Sequence, residues 1–160
     1  MTAAWRRVLS CVTLLFILEV NLSCAQSKDA ATFPTLPTGA GEIAKDAPKE
    51  FTQTKSGLRY RVLRKGKGQM PKETDTVKVN YHGWLDGGKV FDSSYERKSP
   101  ISFPLNRVIK GWTEGMQLVG EGGMIELEIP STLGYGEGGI PGTIPGGASL
   151  HFLVELLKIE

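Results

Sequence analysis

Apolar and polar residues alternate strictly in three short segments of this chain, residues 58–62, 77–81 and 125–129. A period of two places one face of a strand in a core and the other face in water, which is typical of antiparallel sheets. Leu150–Ile159 is apolar at more positions, which favours a central strand. Residues 86–88 (Asp-Gly-Gly) predict a hairpin turn, because glycine accepts the positive φ that such turns need.

One segment changes to a helical period. Ile109, Trp112 and Met116 recur at helical spacing and form one apolar stripe, and Asn106 is a candidate N-cap. Glycine disfavours a helix by about 1 kcal/mol relative to alanine, so the two glycines of this helix make it dependent on tertiary packing. The pattern predicts an α+β domain in which an antiparallel sheet of about five strands packs on one short helix.

The front of the chain has the parts of an export signal, predicted over residues 1–25. Two arginines precede an apolar run over residues 8–18, which is short for a membrane span of roughly 20 residues. Cleavage before Gln26 and lipidation of Cys24 are both compatible with the small residues that follow. A retained membrane anchor is the alternative to a cleaved signal.

Residues 26–50 differ in composition from the rest of the chain. They contain several prolines, glycines, alanines and lysines and few large apolar residues, which predicts a flexible spacer. The folded domain is then expected over residues 51–160.

Composition excludes several function classes. The formal net charge is only +2, without a concentrated basic face, so nucleic acid is not an expected partner. Both cysteines lie in the first 25 residues, and His82 and His151 have no ligand-spaced partners, so neither a metal nor a cofactor is expected. We expect Glu126 and Glu128 to be solvated charges on one sheet face.

Residues 134–139 match the dinucleotide-binding pattern G-x-G-x-x-G by letter. That site requires the loop to open a helix whose N-terminus receives the pyrophosphate. The residues that follow contain Pro141 and Pro145 among glycines and cannot begin a helix. A nucleotide site is therefore excluded.

Several blocks in a fixed order carry a family resemblance. Residues 79–83 lead through the glycine hairpin into 90–94, followed by 108–116, by Leu-Gly-Tyr-Gly at 133–136 and by a final strand at 150–157. In this order and spacing, residues 51–160 resemble the FKBP-type peptidyl-prolyl isomerases. The resemblance implies a half-wrapped antiparallel sheet around the short helix, with an aromatic pocket between them.

The resemblance also implies the residues of that pocket. The expected catalytic residues are Tyr81, Phe91, Asp92, Tyr135 and Phe152. The expected substrate-binding residues are Val108, Ile109, Trp112, Ile101 and Ile144. Trp112 would form the floor beneath a substrate proline ring, and the Tyr135 hydroxyl and the Ile109 N–H would bond peptide carbonyls. The alternative is that these aromatic side chains are ordinary core.

The implied activity is cis–trans isomerisation of X-Pro bonds in polypeptides that fold outside the cytoplasm, in the periplasm or at a lipid anchor. A non-catalytic chaperone or peptide-binding module would use the same pocket, and a tethered structural protein of the envelope is a third interpretation. Macrolides such as tacrolimus and rapamycin are implied ligands, and a monomer is expected. Ile101 stands where many relatives have a phenylalanine, and Ile140 and Thr143 replace common rim residues; these departures bear on macrolide binding more than on catalysis.

Overall fold

The computed structural model describes residues 32–160. Within them, seven antiparallel strands form one sheet, and a single α-helix packs on one of its faces. The strands are β1 (Thr52–Gln53), β2 (Arg59–Arg64), β3 (Thr76–Leu85), β4 (Val90–Ser93), β5 (Ile101–Pro104), β6 (Met124–Ile129) and β7 (Leu150–Ile159). The helix α1 spans Lys110–Met116, and short 3-10 helices occur at Leu105–Arg107 and Ser131–Leu133.

The order along the sheet is β1-β2-β6-β7-β3-β4, and β5 pairs with β3 beside this path. β7 lies between β6 and β3, as its apolar sequence predicts. The expectation of about five strands is low by two, because β1 has only two residues and β5 only four. Segments this short do not show a period of two.

The alternating residues point where the sequence predicts. Residues of the core face come from β3, β6 and β7, and they form one buried cluster with Trp112 and Met116 of α1. The helix approaches the sheet closely at Gly111 and Gly115. A Cβ at these positions would lie 2.5 Å from Cγ2 of Ile129 and 2.7 Å from Cδ2 of Leu127, so the glycines are needed for packing although they weaken the isolated helix.

The start of α1 differs from the sequence prediction. Asn106 lies in the 3-10 helix before α1 and is not its N-cap. The N-cap is Ile109, whose backbone is extended and whose side chain makes no capping hydrogen bond. The prediction of Asn106 was wrong because the spacing of apolar residues does not reveal the extended backbone at Val108 and Ile109.

The described part of residues 26–50, here called the N-terminal segment (residues 32–50), lies against the outer face of the sheet. Phe33, Leu36 and Ile43 pack against a second cluster that includes the fully buried Leu63 and Leu153. The structure therefore differs from the expectation of an unpacked spacer. Three apolar residues, widely spaced in the sequence, are enough to hold the segment against the apolar patch of this face.

This covering also changes the environment of Glu126. Its side chain is buried on the outer face with that of Arg61, whose Nε donates to it at 2.6 Å. The expectation that Glu126 is a solvated charge was wrong, because the N-terminal segment excludes water from it. Glu128 is more exposed, and Arg59 of the neighbouring strand β2 forms an ion pair with it.

The predicted signal peptide and Cys24 lie outside the described residues. Between residues 32 and 160, no helix is long and apolar enough to cross a membrane. The same residues contain no cluster of three or more His, Cys, Asp or Glu side chains suited to a metal ion.

Candidate active site

A cavity of about 490 Å³ opens between α1 and the core face of the sheet. Its volume lies within the range of about 300–1,000 Å³ that is typical of ligand sites. The lining residues come from β3, β4, β5, β7, α1, the segment that leads into α1 and the loop after β6. They are Tyr81, Phe91, Asp92, Phe103, Arg107, Val108, Ile109, Trp112, Tyr135 and Phe152.

Trp112 forms the floor of this cavity and is almost fully buried. The rings of Tyr81, Phe103 and Phe152 meet its indole close to edge-on, with centroid distances of 5.5, 5.6 and 5.4 Å. Such edge-to-face contacts add about 0.5–1.5 kcal/mol beyond the buried area, so the floor is held rigidly. The indole also lines the cavity, so it can contact an apolar ligand there.

One wall depends on a glycine. The rings of Phe91 and Phe152 lie perpendicular at 5.4 Å. Gly83 of β3 lies beneath both, and a Cβ there would be 2.7 Å from Cζ of Phe91 and 2.8 Å from Cε1 of Phe152. The absence of a side chain at Gly83 therefore allows the two rings to close the wall.

The polar side of the cavity is a bonded triad. The Tyr81 hydroxyl donates to Oδ2 of Asp92, and the guanidinium of Arg97 donates both to Oδ1 of Asp92 and to the Tyr81 hydroxyl, the latter at 2.9 Å. Burial alone would raise the pKa of Asp92, but the hydrogen bonds from Tyr81 and Arg97 outweigh it, so this pKa lies below its ordinary value. Burial and the Asp92 carboxylate raise the pKa of Tyr81 to about 12. The triad thus consists of a charged carboxylate, a guanidinium and a neutral phenol.

Two donors at the cavity have no protein partner. Among residues 32–160, the hydroxyl of Tyr135 makes no hydrogen bond, and its side chain is 40% exposed. Over the same residues the N–H of Ile109 donates to no group, whereas its carbonyl oxygen accepts from Trp112 and Thr113. Burial raises the pKa of Tyr135, so the phenol keeps its proton at neutral pH. Both groups can donate to a ligand.

The structure brings the predicted site residues together with two exceptions. Ile101 is 37% exposed on β5, opposite Val79, and does not line the cavity. Ile144 is buried in the main core cluster and also lies outside the lining.

Sequence reasoning missed three residues of the site. Phe103 lines the cavity, and its ring contacts both Tyr81 and Trp112. Arg107 lines the opening, and Arg97 completes the triad with Asp92 and Tyr81. Phe103 could have been found as the next apolar residue after Ile101 in the same strand, whereas only the turn after β4 brings Arg97 back to Asp92.

The sequence is similar to one family of known proteins. The family model described as FKBP-type peptidyl-prolyl cis-trans isomerase matches residues 67–157. A probable FKBP-type peptidyl-prolyl cis-trans isomerase of Haemophilus influenzae is 53% identical over 112 residues, which are 70% of this chain and 46% of that protein. The FKBP-type peptidyl-prolyl cis-trans isomerase FkpA of Escherichia coli K12 is 50% identical over 112 residues, 70% of this chain and 41% of FkpA. The matches thus span less than half the length of either relative.

Solved structures agree with the fold. The crystal structure of FkpA from Escherichia coli superposes with a TM-score of 0.68 at 49% identity, covering 71% of this chain and 53% of that one. The crystal structure of AtFKBP13 superposes with a TM-score of 0.65 at 34% identity, covering 69% of this chain and 99% of that one. The α+β fold predicted from the sequence is confirmed.

Proposed function

This chain belongs to the FKBP-type peptidyl-prolyl cis-trans isomerase family, and we propose that it accelerates rotation about X-Pro bonds in unfolded or partly folded polypeptides. The single observation that carries this proposal is the pair of unpartnered donors, the Tyr135 hydroxyl and the Ile109 N–H, at the rim of an aromatic pocket. A proline ring fits against the indole of Trp112, and the two donors then face the carbonyl groups that flank it.

The chemistry required of the site is modest. Amide resonance sets a rotation barrier of about 18–20 kcal/mol, and X-Pro bonds isomerise over tens of seconds. A rise from about 0.01–0.1 s⁻¹ to about 10 s⁻¹ needs ~100- to 1,000-fold, which is ~2.7–4 kcal/mol. A twisted amide has lost resonance and is less dipolar than a planar one. An apolar pocket therefore disfavours the planar ground state more than the twisted state, and oriented donors hold the twisted state.

The bonded triad suits this role. Asp92 is kept charged by Tyr81 and Arg97, so its field acts on the bound amide without a proton being transferred. No step requires a nucleophile, a metal or a cofactor. Phe91 and Phe152 close the wall beside the amide and exclude water from it.

We further propose that the protein acts outside the cytoplasm, in the periplasm or lipid-anchored to the envelope, with residues 1–25 as its export signal. This rests on the sequence of the front of the chain alone. Mass spectrometry of the native protein is expected to find either an N-terminus at Gln26 or an acylated Cys24. An intact protein that begins at Met1 would contradict the proposal.

Macrolide inhibitors are proposed as further ligands. The ring of Phe103 supports this, because it supplies an aromatic contact to the Trp112 floor that Ile101 does not. Isothermal titration with rapamycin is expected to give saturable binding that weakens when Trp112 is replaced by leucine. Unchanged binding by that variant would contradict this assignment.

The activity is tested by exchange spectroscopy on a proline tetrapeptide with the purified protein at catalytic concentration. Cis–trans exchange is expected to accelerate, and Trp112→Leu is expected to reduce the acceleration at least ten-fold while the domain stays folded, since the substitution keeps an apolar side chain. A folded protein that binds the peptide without accelerating its exchange would instead be a peptide-binding module.

A further inference from the structure

Arg107 is the one lining residue of the pocket whose charge is uncompensated within the described part of the chain. It ends the 3-10 helix that precedes α1, and its side chain is exposed at the pocket opening. Among residues 32–160 its guanidinium makes no ion pair and no hydrogen bond. Arg97, in contrast, is bound to Asp92 and Tyr81.

Within the pocket lining itself, the charge of Arg107 is the one that the other lining residues of the described chain do not balance. Asp92 and Arg97 neutralise each other in the triad. Glu73 and Glu114 line a neighbouring groove beyond Val108, together with Lys110. Glu114 accepts a hydrogen bond from Ser56 there and does not contact Arg107.

Arg107 lies close to the Ile109 N–H, the donor proposed to bind a substrate carbonyl. Val108 and Ile109 both have extended backbone, so the Cα atoms of Arg107 and Ile109 are about 7 Å apart. Neighbouring residues of a bound peptide are about 3.8 Å apart. Arg107 therefore lies about one to two peptide residues along from the Ile109 N–H in the same pocket lining, a separation that its long side chain can span towards a residue beside a bound proline.

We propose that Arg107 selects proline-containing segments that carry an acidic side chain next to the proline. This proposal rests on the proposed isomerase function and names its preferred substrate class. The guanidinium offers paired donors that match a carboxylate. Because the pair is solvent-exposed, the preference for glutamate over glutamine is modest, between about 1.5- and five-fold.

The test uses the full-length protein and capped tetrapeptides, acetylated and amidated so that no terminal charge contributes. One series carries glutamate, glutamine or lysine before the proline, and a second carries them after it. Exchange spectroscopy gives kcat/KM for each peptide, and titration gives its Kd. The native protein is expected to prefer glutamate over glutamine over lysine in at least one series, and the preference is expected to shrink towards one as ionic strength rises and the Debye length falls from about 30 Å to about 3 Å.

Three variants isolate the residue. Arg107→Gln is expected to remove the preference and Arg107→Glu to reverse it in favour of lysine. Lys158→Gln makes the same change of net charge at an exposed site on β7 and is expected to keep the native preference. Thermal melting of each variant checks that it is folded.

Each result decides the proposal. A native protein indifferent to peptide charge, or a preference that survives in Arg107→Gln, would overturn it. If no peptide is turned over but binding still follows charge through Arg107, the isomerase function fails and the selectivity stands. If no peptide binds at all, both are overturned.

Discussion

The guanidinium of Arg61 and the carboxylate of Glu126 form an ion pair on the outer face of the sheet, with side chains only 3% and 6% exposed. The same guanidinium donates to the carbonyl oxygens of Lys49 at 2.6 Å and Thr32 at 2.8 Å, and it lies 5.1 Å from the ring centre of Phe33. Burial raises the pKa of Glu126, and the charge of Arg61 opposes this only in part. The pair therefore ties the N-terminal segment to the sheet at a cost in desolvation.

Replacing one partner of this pair is expected to lower the free energy of unfolding more than replacing both. Glu126→Leu strands a buried guanidinium and should lower the free energy of unfolding by about 3–5 kcal/mol. Adding Arg61→Met should recover most of that loss, because no buried charge remains. Urea denaturation of the single and double variants measures this. Glu128→Leu, at the more exposed pair with Arg59, is the control and should lower the free energy of unfolding by no more than about 1 kcal/mol. A double variant as unstable as Glu126→Leu would contradict the argument.

Phe103 lines the pocket in the structure, whereas the sequence had predicted Ile101 there, and substitutions at the two positions distinguish these assignments. Phe103→Leu removes a ring that contacts Trp112 and Tyr81, so kcat/KM for a proline peptide is expected to fall several-fold, by about 1 kcal/mol of lost aromatic contact. Ile101→Ala changes an exposed side chain outside the pocket and is expected to leave kcat/KM unchanged. The opposite order of effects would restore Ile101 to the site.

The hydroxyls of Tyr135 and Tyr81 are expected to differ in their effect on stability. Tyr135→Phe removes a hydroxyl without a partner in residues 32–160, so Tm should stay unchanged while kcat/KM falls about two- to ten-fold. Tyr81→Phe removes a hydroxyl bonded to Asp92 and Arg97, so it should also lower stability by about 1 kcal/mol. Calorimetry and kinetics on both variants make the comparison. A Tyr135→Phe variant with a lowered Tm and normal kcat/KM would mean that this hydroxyl is structural.

Gly83 is expected to be essential to the pocket wall. In Gly83→Ala the added methyl group meets the rings of Phe91 and Phe152, and one of them must move, at a cost of about 1–3 kcal/mol. Peptide binding should weaken with it, as measured by titration. Gly138→Ala is the matched control, because a Cβ there meets no atom within 4 Å and the residue has no positive φ. Equal peptide affinity in the two variants would show that the wall tolerates displacement of its rings.

The charged Asp92 of the triad predicts that the stability of the protein depends on pH in the acidic range. The folded-state pKa of Asp92 lies below the ordinary value of 3.8, so its contribution is fully present above that value and is lost as pH falls through the folded pKa. The difference in unfolding free energy between the native protein and Asp92→Asn should be constant from pH 5 to 8 and should shrink below about pH 4. Urea midpoints over this range measure it, and a difference that grows on acidification would reverse the sign of the argument.

Much of the fold was predictable because it is encoded locally. Segments with a period of two place their own residues on one face of a strand or the other. The apolar stripe of Ile109, Trp112 and Met116 identifies the helix from its own sequence alone. The glycines of the hairpin and the order of the family blocks indicate how these elements connect. The family resemblance that those blocks carry implied most of the residues that line the cavity around Trp112, but not Phe103 or Arg107.

Only the tertiary structure decided which segment covers a face of the sheet. It also decided which distant side chains reach the pocket. Glu126 looks like a surface residue in its alternating strand, and it is buried because a separate part of the chain packs over it. Arg97 reaches Asp92 only through the turn after β4. Phe103 rather than Ile101 meets the indole because of how β5 pairs with β3 beside the helix. Local sequence sets the side of a strand to which each residue points, whereas burial and charge pairing depend on segments that are remote along the chain.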